Sequence, residues 1–366
     1  MRIMVLYFLL AALTACNKDE SVKVGFIGGV SGRFADLGTA GRNGAILAVE
    51  WRNAAGGVKG STAELIVRDD KQDNITALDA LKALDTAGVA IIIGPMTSSV
   101  ASAIIPAAEK AGIVLISGTA TSAELSGKDD IFFRVVSSTH VYGRIMADYQ
   151  HTHMKLRRTA VIADLANREY TLSWAAEYSK AFKESGGELL VSMEYDSRQQ
   201  TDYGALAQAL LSKKPDVVTL VCNTVDAGMF VQKLRQLDSN VQIAGSNWAG
   251  TERLIELGGQ HAEGMIVEQY FDRHDRSTEY LKFRNAYRQR FGQEPGYASV
   301  ASFDAANVAL DALEETRERR RIKDVILKRR EFSALQGRIV FDANGEAPRP
   351  QFMNRIHNAQ FEPATQ

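Results

Sequence analysis

Val89-Ala90-Ile91-Ile92-Ile93-Gly94-Pro95-Met96-Thr97-Ser98-Ser99 reads as a buried strand that runs straight into a helix. Residues 89–93 are apolar without interruption, the pattern of a strand covered on both faces. Gly94-Pro95 ends it, and small hydroxyl residues follow where a helix over 99–110 begins. The same unit recurs on either side. Residues 22–27 are a β-branched and aromatic run closed by Gly28-Gly29, and 64–68 and 113–116 are further strands. Between them, 42–55 carry Ala45, Ala48 and Val49 at helical spacing before Gly56-Gly57, and 74–86 place Ala77, Leu78, Leu81 and Leu84 on one face. Such alternation implies a parallel sheet with helices on both faces.

A second series starts after Arg134. Helices are predicted over 142–151, 170–185, 205–213 and 227–237, and strands over 159–163, 188–195, 216–222 and 241–244. Helices at 277–291 and 299–316 follow. A final strand pair at 337–342 and 350–356 is joined by a loop that begins with the turn signal Ala343-Asn344-Gly345. No soft linker of Pro, Gly or Ser separates the two series. The expected fold is therefore α/β, with two Rossmann-like lobes whose parallel sheets are flanked by helices. A cleft between them, at the C-terminal ends of the strands, is where a ligand would bind.

The N-terminus speaks to location. Met1-Arg2 supplies one positive charge, residues 3–12 are apolar, and Leu13-Thr14-Ala15-Cys16 follows at once. A charged start, a short apolar core and small residues before a break mark a secretory signal over 1–15. Leu-Thr-Ala-Cys also resembles the bacterial lipobox, which makes Cys16 the acylated mature N-terminus and 17–21 a polar tether. The plainer readings are an ordinary signal with an incidental cysteine, or a membrane helix. For the latter the run falls short of the ~20 apolar residues a span requires. A protein so placed works outside the cytoplasm, anchored by lipid, with no ATP or NAD pool at hand.

Composition excludes several functions. The chain of 366 residues has 43 Lys and Arg against 44 Asp and Glu, and loses Arg2 with the signal, so no basic footprint for nucleic acid is present. With Cys16 assigned to lipid, Cys222 stands alone on an apolar strand, which rules out a disulfide framework and favours a core role. Gly25-Phe26-Ile27-Gly28-Gly29 does not fit G-x-G-x-x-G, and neither a phosphate-binding G-x-x-x-x-G-K-[ST] nor a G-x-S-x-G nucleophile elbow occurs. His151 and His153 sit among Lys155, Arg157 and Arg158 without a third ligand at metal spacing. The run 317–321 with Glu314, Glu315 and Glu318 reads as a solvated helix face or a partner-docking patch. No catalytic residue, cofactor or metal is expected.

The informative segments are loops that end strands. Thr97-Ser98-Ser99 stands at a helix N-terminus, where main-chain N–H groups and the helix dipole favour an anion, although Ser98 or Ser99 could simply cap the helix. The next strand ends in Ser117-Gly118-Thr119-Ala120-Thr121-Ser122. Two adjacent strand ends with matching hydroxyl chemistry favour a small anionic ligand over two separate caps.

These segments carry a resemblance. The chain resembles the leucine/isoleucine/valine-binding branch of the type I periplasmic binding proteins, the solute receptors of ABC importers. Gly29-Val30-Ser31-Gly32 with Gly38 and Gly44-Ala45 matches the opening of that family, as do Asn53-Ala54-Ala55-Gly56-Gly57-Val58 and Asp69-Asp70. Gly94-Pro95-Met96-Thr97-Ser98-Ser99, Gly112-Ile113-Val114-Leu115-Ile116-Ser117 and Ala262-Glu263-Gly264-Met265 continue it over nearly the whole mature chain. The resemblance implies three crossovers between lobes, with lobe one at 22–138 and 270–334 and lobe two at 139–269 and 335–366. It implies that Ser98 and the backbone at Thr121 hold a ligand carboxylate, that the Thr119 carbonyl and the Thr121 hydroxyl take an ammonium, and that Tyr170 closes from lobe two.

The chain departs from that pattern where charge matters. Asn247, in Gly245-Ser246-Asn247-Trp248, stands where the family has the acid that pairs with the ammonium. Asp226 is close to another lining position and could supply the charge. Leu37 replaces a common cleft aromatic, and the first crossover reads Ser137-Ser138-Thr139-His140 without the usual acid. An amino acid, a keto acid and another small carboxylate all stay open as ligands.

The leading expectation is a lipid-anchored, monomeric receptor that delivers a small carboxylate to an ABC permease. A regulatory lipoprotein of the same fold that binds a protein partner is the alternative, kept by Asn17, since a residue other than Asp after the cysteine suggests the outer membrane of a double-membrane cell. An extracytoplasmic hydrolase lacks a recognisable nucleophile–base pair. If Cys16 is acylated, Cys16→Ser releases the protein from the membrane fraction with its circular dichroism unchanged; equal membrane retention by the mutant refutes the anchor.

Overall fold

In the computed structural model, which describes residues 21–364, the chain folds into two α/β lobes. Cys16 and the segment 1–15 expected to be a signal lie outside the described residues. The first lobe opens with β1 (Val22–Gly28), α1 (Ala35–Ala54), β2 (Ala63–Asp69), α2 (Asn74–Thr86), β3 (Ile91–Ile93), α3 (Ser98–Ala111), β4 (Val114–Ser117) and β5 (Phe132–Arg134). Its strands pair in the order β2-β1-β3-β4-β5, and every adjacent pair is parallel. The chain then crosses into α4 (Thr139–Asp148), β6 (Arg158–Asp164), α5 (Arg168–Glu184), β7 (Glu188–Tyr195) and α6 (Tyr203–Leu211). It continues through β8 (Val217–Val221), α7 (Thr224–Leu237), β9 (Gln242–Gly245), α8 (Arg253–Gly258) and β10 (Ile266–Gln269). A second crossing returns α9 (Thr278–Phe291), α10 (Tyr297–Glu315), α11 (Arg319–Arg329) and the hairpin β11 (Glu331–Ser333) and β12 (Arg338–Val340) to the first lobe. After a third, β13 (Phe352–His357) and β14 (Gln360–Pro363) add antiparallel to a sheet ordered β14-β13-β10-β9-β8-β6-β7.

The apolar runs become the inner strands. Ile91, Ile92 and Ile93 are wholly buried, as are Val217, Val218, Leu220, Val221 and the adjoining Cys222, so both sheets are covered on two faces. Helix α1 starts at Ala35, seven residues before its predicted start at 42. Gly38, Gly41 and Gly44 argue against a helix by intrinsic propensity. Packing overrides that, because the bare faces of Gly38 and Gly44 let the backbones at Gly29 and Ser299 approach closely. Helix α10 fills the space so created, with Val300, Ala301, Ala305, Val308 and Leu310 buried.

The last strands differ from expectation. Residues 338–340 pair with 331–333, not with 352–357, and the stretch 335–347 stays on the first lobe. Phe341 packs edge-on against Phe133 at 5.3 Å, and Arg134 of β5 pairs with Glu346 at 2.7 Å. The turn at Asn344-Gly345 therefore closes against β5 rather than forming a hairpin tip, with the Gly345 carbonyl accepting from Arg134 N.

The three crossings are bound together by buried Arg349. Its N–H donates to Ser137 Oγ (2.9 Å) on the first crossing, its guanidinium lies over the Tyr270 ring (5.7 Å) on the second, and Nη1 pairs with Asp304 of α10 at 3.4 Å. Burial lifts the Asp304 carboxyl to about 6, and the Arg349 charge opposes that shift. The close contact of α1 with α10 gives a direct check. A Cβ at Gly44 would stand 2.1 Å from the Ser299 carbonyl oxygen, so Gly44→Ala is expected to destabilise by about 1–3 kcal/mol in chemical denaturation. No loss of stability would show that α1 and α10 separate freely.

Candidate ligand-binding cleft

The loops after β3 and β4 form one hydrogen-bonded unit. Ser117 Oγ accepts from Thr119 N (3.2 Å) and Ala120 N (2.9 Å) and donates to the Pro95 carbonyl at 2.7 Å. Ser98 Oγ accepts from Thr121 N and Ser122 N, both at 3.1 Å. Ser98 is thus no helix cap; Thr97 occupies that position without a side-chain bond. Arg134 braces the far side, donating to the Ser122 carbonyl at 2.9 Å. The loop after β1 is held similarly, with Asp69 Oδ1 accepting from Val30 N at 3.0 Å and Oδ2 from the Ser31 hydroxyl.

The lobes meet along a line of polar contacts. Asn167 Oδ1 accepts from Ser99 N at 3.1 Å, and Glu169 accepts from the Ser99 hydroxyl. Ala123 N donates to Ser173 Oγ at 3.1 Å, and Thr251 donates to Asp36 at 3.0 Å. Burial raises the Asp36 carboxyl, against the lowering effect of the Thr251 hydroxyl. Asp226 is wholly buried and bridges to Arg33 at 2.8 Å, while the hydroxyls of Tyr195 and Tyr203 donate to it at 2.7 and 2.9 Å.

Between these contacts lies a cavity of about 10 Å³, room for about one water molecule. Leu37, Met96, Thr119 and Tyr297 line it from the first lobe, and Asn167, Tyr170, Asn247 and Trp248 from the second. Tyr170 donates to Asn247 Oδ1 at 2.5 Å and meets Trp248 edge-on at 5.9 Å. Burial pushes the Tyr170 phenol well up, so it serves as a hydrogen-bond donor. Anything larger than water requires the lobes to part or these side chains to move.

Of the residues expected from sequence, Thr119, Tyr170 and Asn247 line the cavity together. Ser98 and Thr121 are fully buried in the adjoining loop, and Thr121 Oγ1 has no hydrogen-bond partner among the described residues. Asp226 stands apart, its carboxylate taken by Arg33, Tyr195 and Tyr203. Met96, Asn167, Trp248 and Tyr297 were not anticipated as walls. Trp248 was the readable one, directly following Asn247; Tyr297 comes from α10, far off in sequence.

With the fold and cleft in view, comparison with known proteins decides the family. The sequence profile described as periplasmic binding protein matches residues 21–359. The chain belongs to the periplasmic binding proteins. A leucine-, isoleucine-, valine-, threonine- and alanine-binding protein of Pseudomonas aeruginosa is 22% identical over 331 residues, covering 89% of this chain and 87% of that protein. A leucine-binding protein of Thermotoga maritima superposes with a TM-score of 0.87 at 25% identity, over 94% of this chain and 98% of its own. A branched-chain amino acid transporter substrate-binding protein of Streptococcus pneumoniae, solved with isoleucine, gives 0.86 at 26% identity, over 94% and 98%. These relatives are binding proteins, not enzymes, and the architecture is the type I periplasmic binding fold. No helix among the described residues is long and apolar enough to cross a membrane.

Two substitutions separate scaffold from ligand contact. Ser98→Ala strands two backbone N–H groups and is expected to lower stability by about 1–3 kcal/mol. Thr121→Val removes a hydroxyl with no hydrogen-bond partner among the described residues, so stability is expected to hold, and if Thr121 touches the ligand, affinity falls about tenfold. Calorimetric titration and thermal unfolding of both variants check this. Unchanged affinity in Thr121→Val removes it from the site.

Proposed function

We propose that this protein is an extracytoplasmic receptor, tethered by lipid at Cys16, that captures a small carboxylate and delivers it to an ABC permease. An amino acid is the leading ligand. The observation that carries the reading is the buried Thr121 hydroxyl, without a hydrogen-bond partner among the described residues, in a hydroxyl loop beside a cavity lined by both lobes. Such a group is costly in the interior unless something binds it. The specificities of the relatives named above, centred on leucine, isoleucine and valine, support the same ligand class.

Capture needs no catalysis. A ligand that touches both lobes favours the closed arrangement by its differential affinity for it, and closure is the signal a permease can read. The hydroxyls of Ser98 and Thr121 can donate to a carboxylate, since the Thr121 and Ser122 N–H groups are taken by Ser98 Oγ, the cavity walls Leu37, Met96 and Trp248 suit an apolar side chain, and Tyr170 closes over it. Asp226 has a different part here. With Arg33 it forms a latch at the cleft, so it serves closure rather than ligand charge.

A thermal-shift panel of amino acids and their keto acids on the mature protein tests the reading. A true ligand at a hundredfold excess over its Kd adds about 2.7 kcal/mol of stability. No shift with any of them overturns the receptor assignment. Asp226→Asn separates latch from counter-ion: as a latch it weakens amino-acid and keto-acid binding by the same factor, and selective loss of amino-acid binding returns Asp226 to the ligand.

A further inference from the structure

The cleft lacks an acid at Asn247, and Asp226 is engaged by Arg33, yet one more carboxylate abuts the cavity wall. Glu268, the third residue of β10, is fully buried. Its Oε1 accepts from Trp174 Nε1 at 2.8 Å and from the Asn247 backbone N–H at 3.1 Å. Its Oε2 has no hydrogen-bond partner among the described residues. The phenols of Tyr170 and Tyr297, both cavity walls, and of Tyr142 on α4 lie within its electrostatic reach. The buried arginines beside Tyr142 are committed elsewhere, Arg134 to Glu346 and Arg349 to Asp304. The titratable groups that feel the Glu268 charge are thus these three phenols, with the paired Arg134 and Arg349 acting on Tyr142 from behind.

A purely structural role does not need this acid. Glutamine would accept the same two hydrogen bonds through its single oxygen and place an uncharged amide where Oε2 stands. What glutamate adds is a charge that Oε2 can present, held in place by the indole and the Asn247 backbone. We propose that Glu268 is the counter-charge for the ammonium of an amino-acid ligand, in the role that Asn247 cannot fill. This rests on the receptor reading above. Burial holds the free carboxyl up at about 8, so it is largely protonated at neutral pH. An arriving ammonium favours the carboxylate, and the carboxyl proton leaves to solvent as the ion pair forms.

The test is titration calorimetry at pH 7 in two buffers of different ionisation enthalpy, with L-leucine and L-alanine and their keto acids, 4-methyl-2-oxopentanoate and pyruvate, on the native protein and on Glu268→Gln. The native protein should release up to about one proton per amino acid bound, fading above pH 9 where Glu268 is already ionised. Glu268→Gln should lose tenfold or more in amino-acid affinity, release no proton, and leave keto-acid binding and thermal stability unchanged. Equal amino-acid affinity in the mutant, an equal loss for keto acids, or no proton release by the native protein overturns the inference alone. Proton release is read on the native protein, so a poorly folded mutant does not decide the matter. A native protein that binds neither amino acid nor keto acid overturns the receptor reading, and this inference falls with it.

Discussion

Three passages of chain between two lobes are the constraint on which the rest of this molecule depends. Each passage carries backbone donors and acceptors past buried residues such as Ser137, Tyr270 and Arg349, and they must be satisfied while the lobes stay able to move. Arg349 meets that demand from one position. Its main chain exchanges hydrogen bonds with the Ser137 hydroxyl, its guanidinium takes the carbonyl of Gln336 at 2.9 Å, and Asp304 holds its charge. Neither charge could be buried alone, so the pair fixes where the crossings meet. The cleft is set by that fixed point: the crossings are tied at the hinge and the loops face one another beyond it.

The buried acids differ in how their charge is met. Asp304 and Asp226 have arginines. Glu268 has only indole and amide donors, and burial raises its carboxyl to about 8. A carboxyl kept near neutrality by its surroundings is poised to respond to an incoming cation, whereas one already paired is not. That contrast separates a latch from a ligand group among side chains that look alike in sequence.

The layer plan was legible because its signals are local. Continuous apolar runs at 89–93 and 217–221 and helical stripes such as Ala77, Leu81 and Leu84 need no tertiary information. The hydroxyl loops were legible for the same reason, since Ser98, Thr119 and Thr121 sit at strand ends that the pattern itself defines. What escaped was long-range. The start of α1 was hidden because three glycines that weaken a lone helix are what let it touch α10. The pairing of β12 with β11 could not be separated from a hairpin with β13, because the Asn344-Gly345 turn fits either. Glu268 gave no signal at all. A lone acid in Ile266-Val267-Glu268-Gln269 looks like a solvent-facing strand residue until Trp174 and Asn247 close over it. Asp226 misled by proximity, since its neighbour in space, Arg33, lies in the other lobe.

The energetics of closure follow from where the interlobe contacts sit. The Arg33 side chain is 44% exposed, so its pair with Asp226 is screened at the rim and contributes at most about 1 kcal/mol from the arginine side. The bridges named above, two from Ser99 and one each from Ala123 and Thr251, are hydrogen bonds that exchange with water when the lobes part, each about 1 kcal/mol net. Against them stands the ordering of two lobes and of Tyr170 and Trp248. No contact here is strong enough to lock the lobes shut, and none is so weak that closure is improbable. An equilibrium balanced in this way is shifted by a ligand whose differential affinity for the closed form is a few kcal/mol. A carboxylate in the hydroxyl loop of one lobe and a cation beside the buried acid of the other would supply that difference only when both lobes are engaged, which makes recognition and closure the same event.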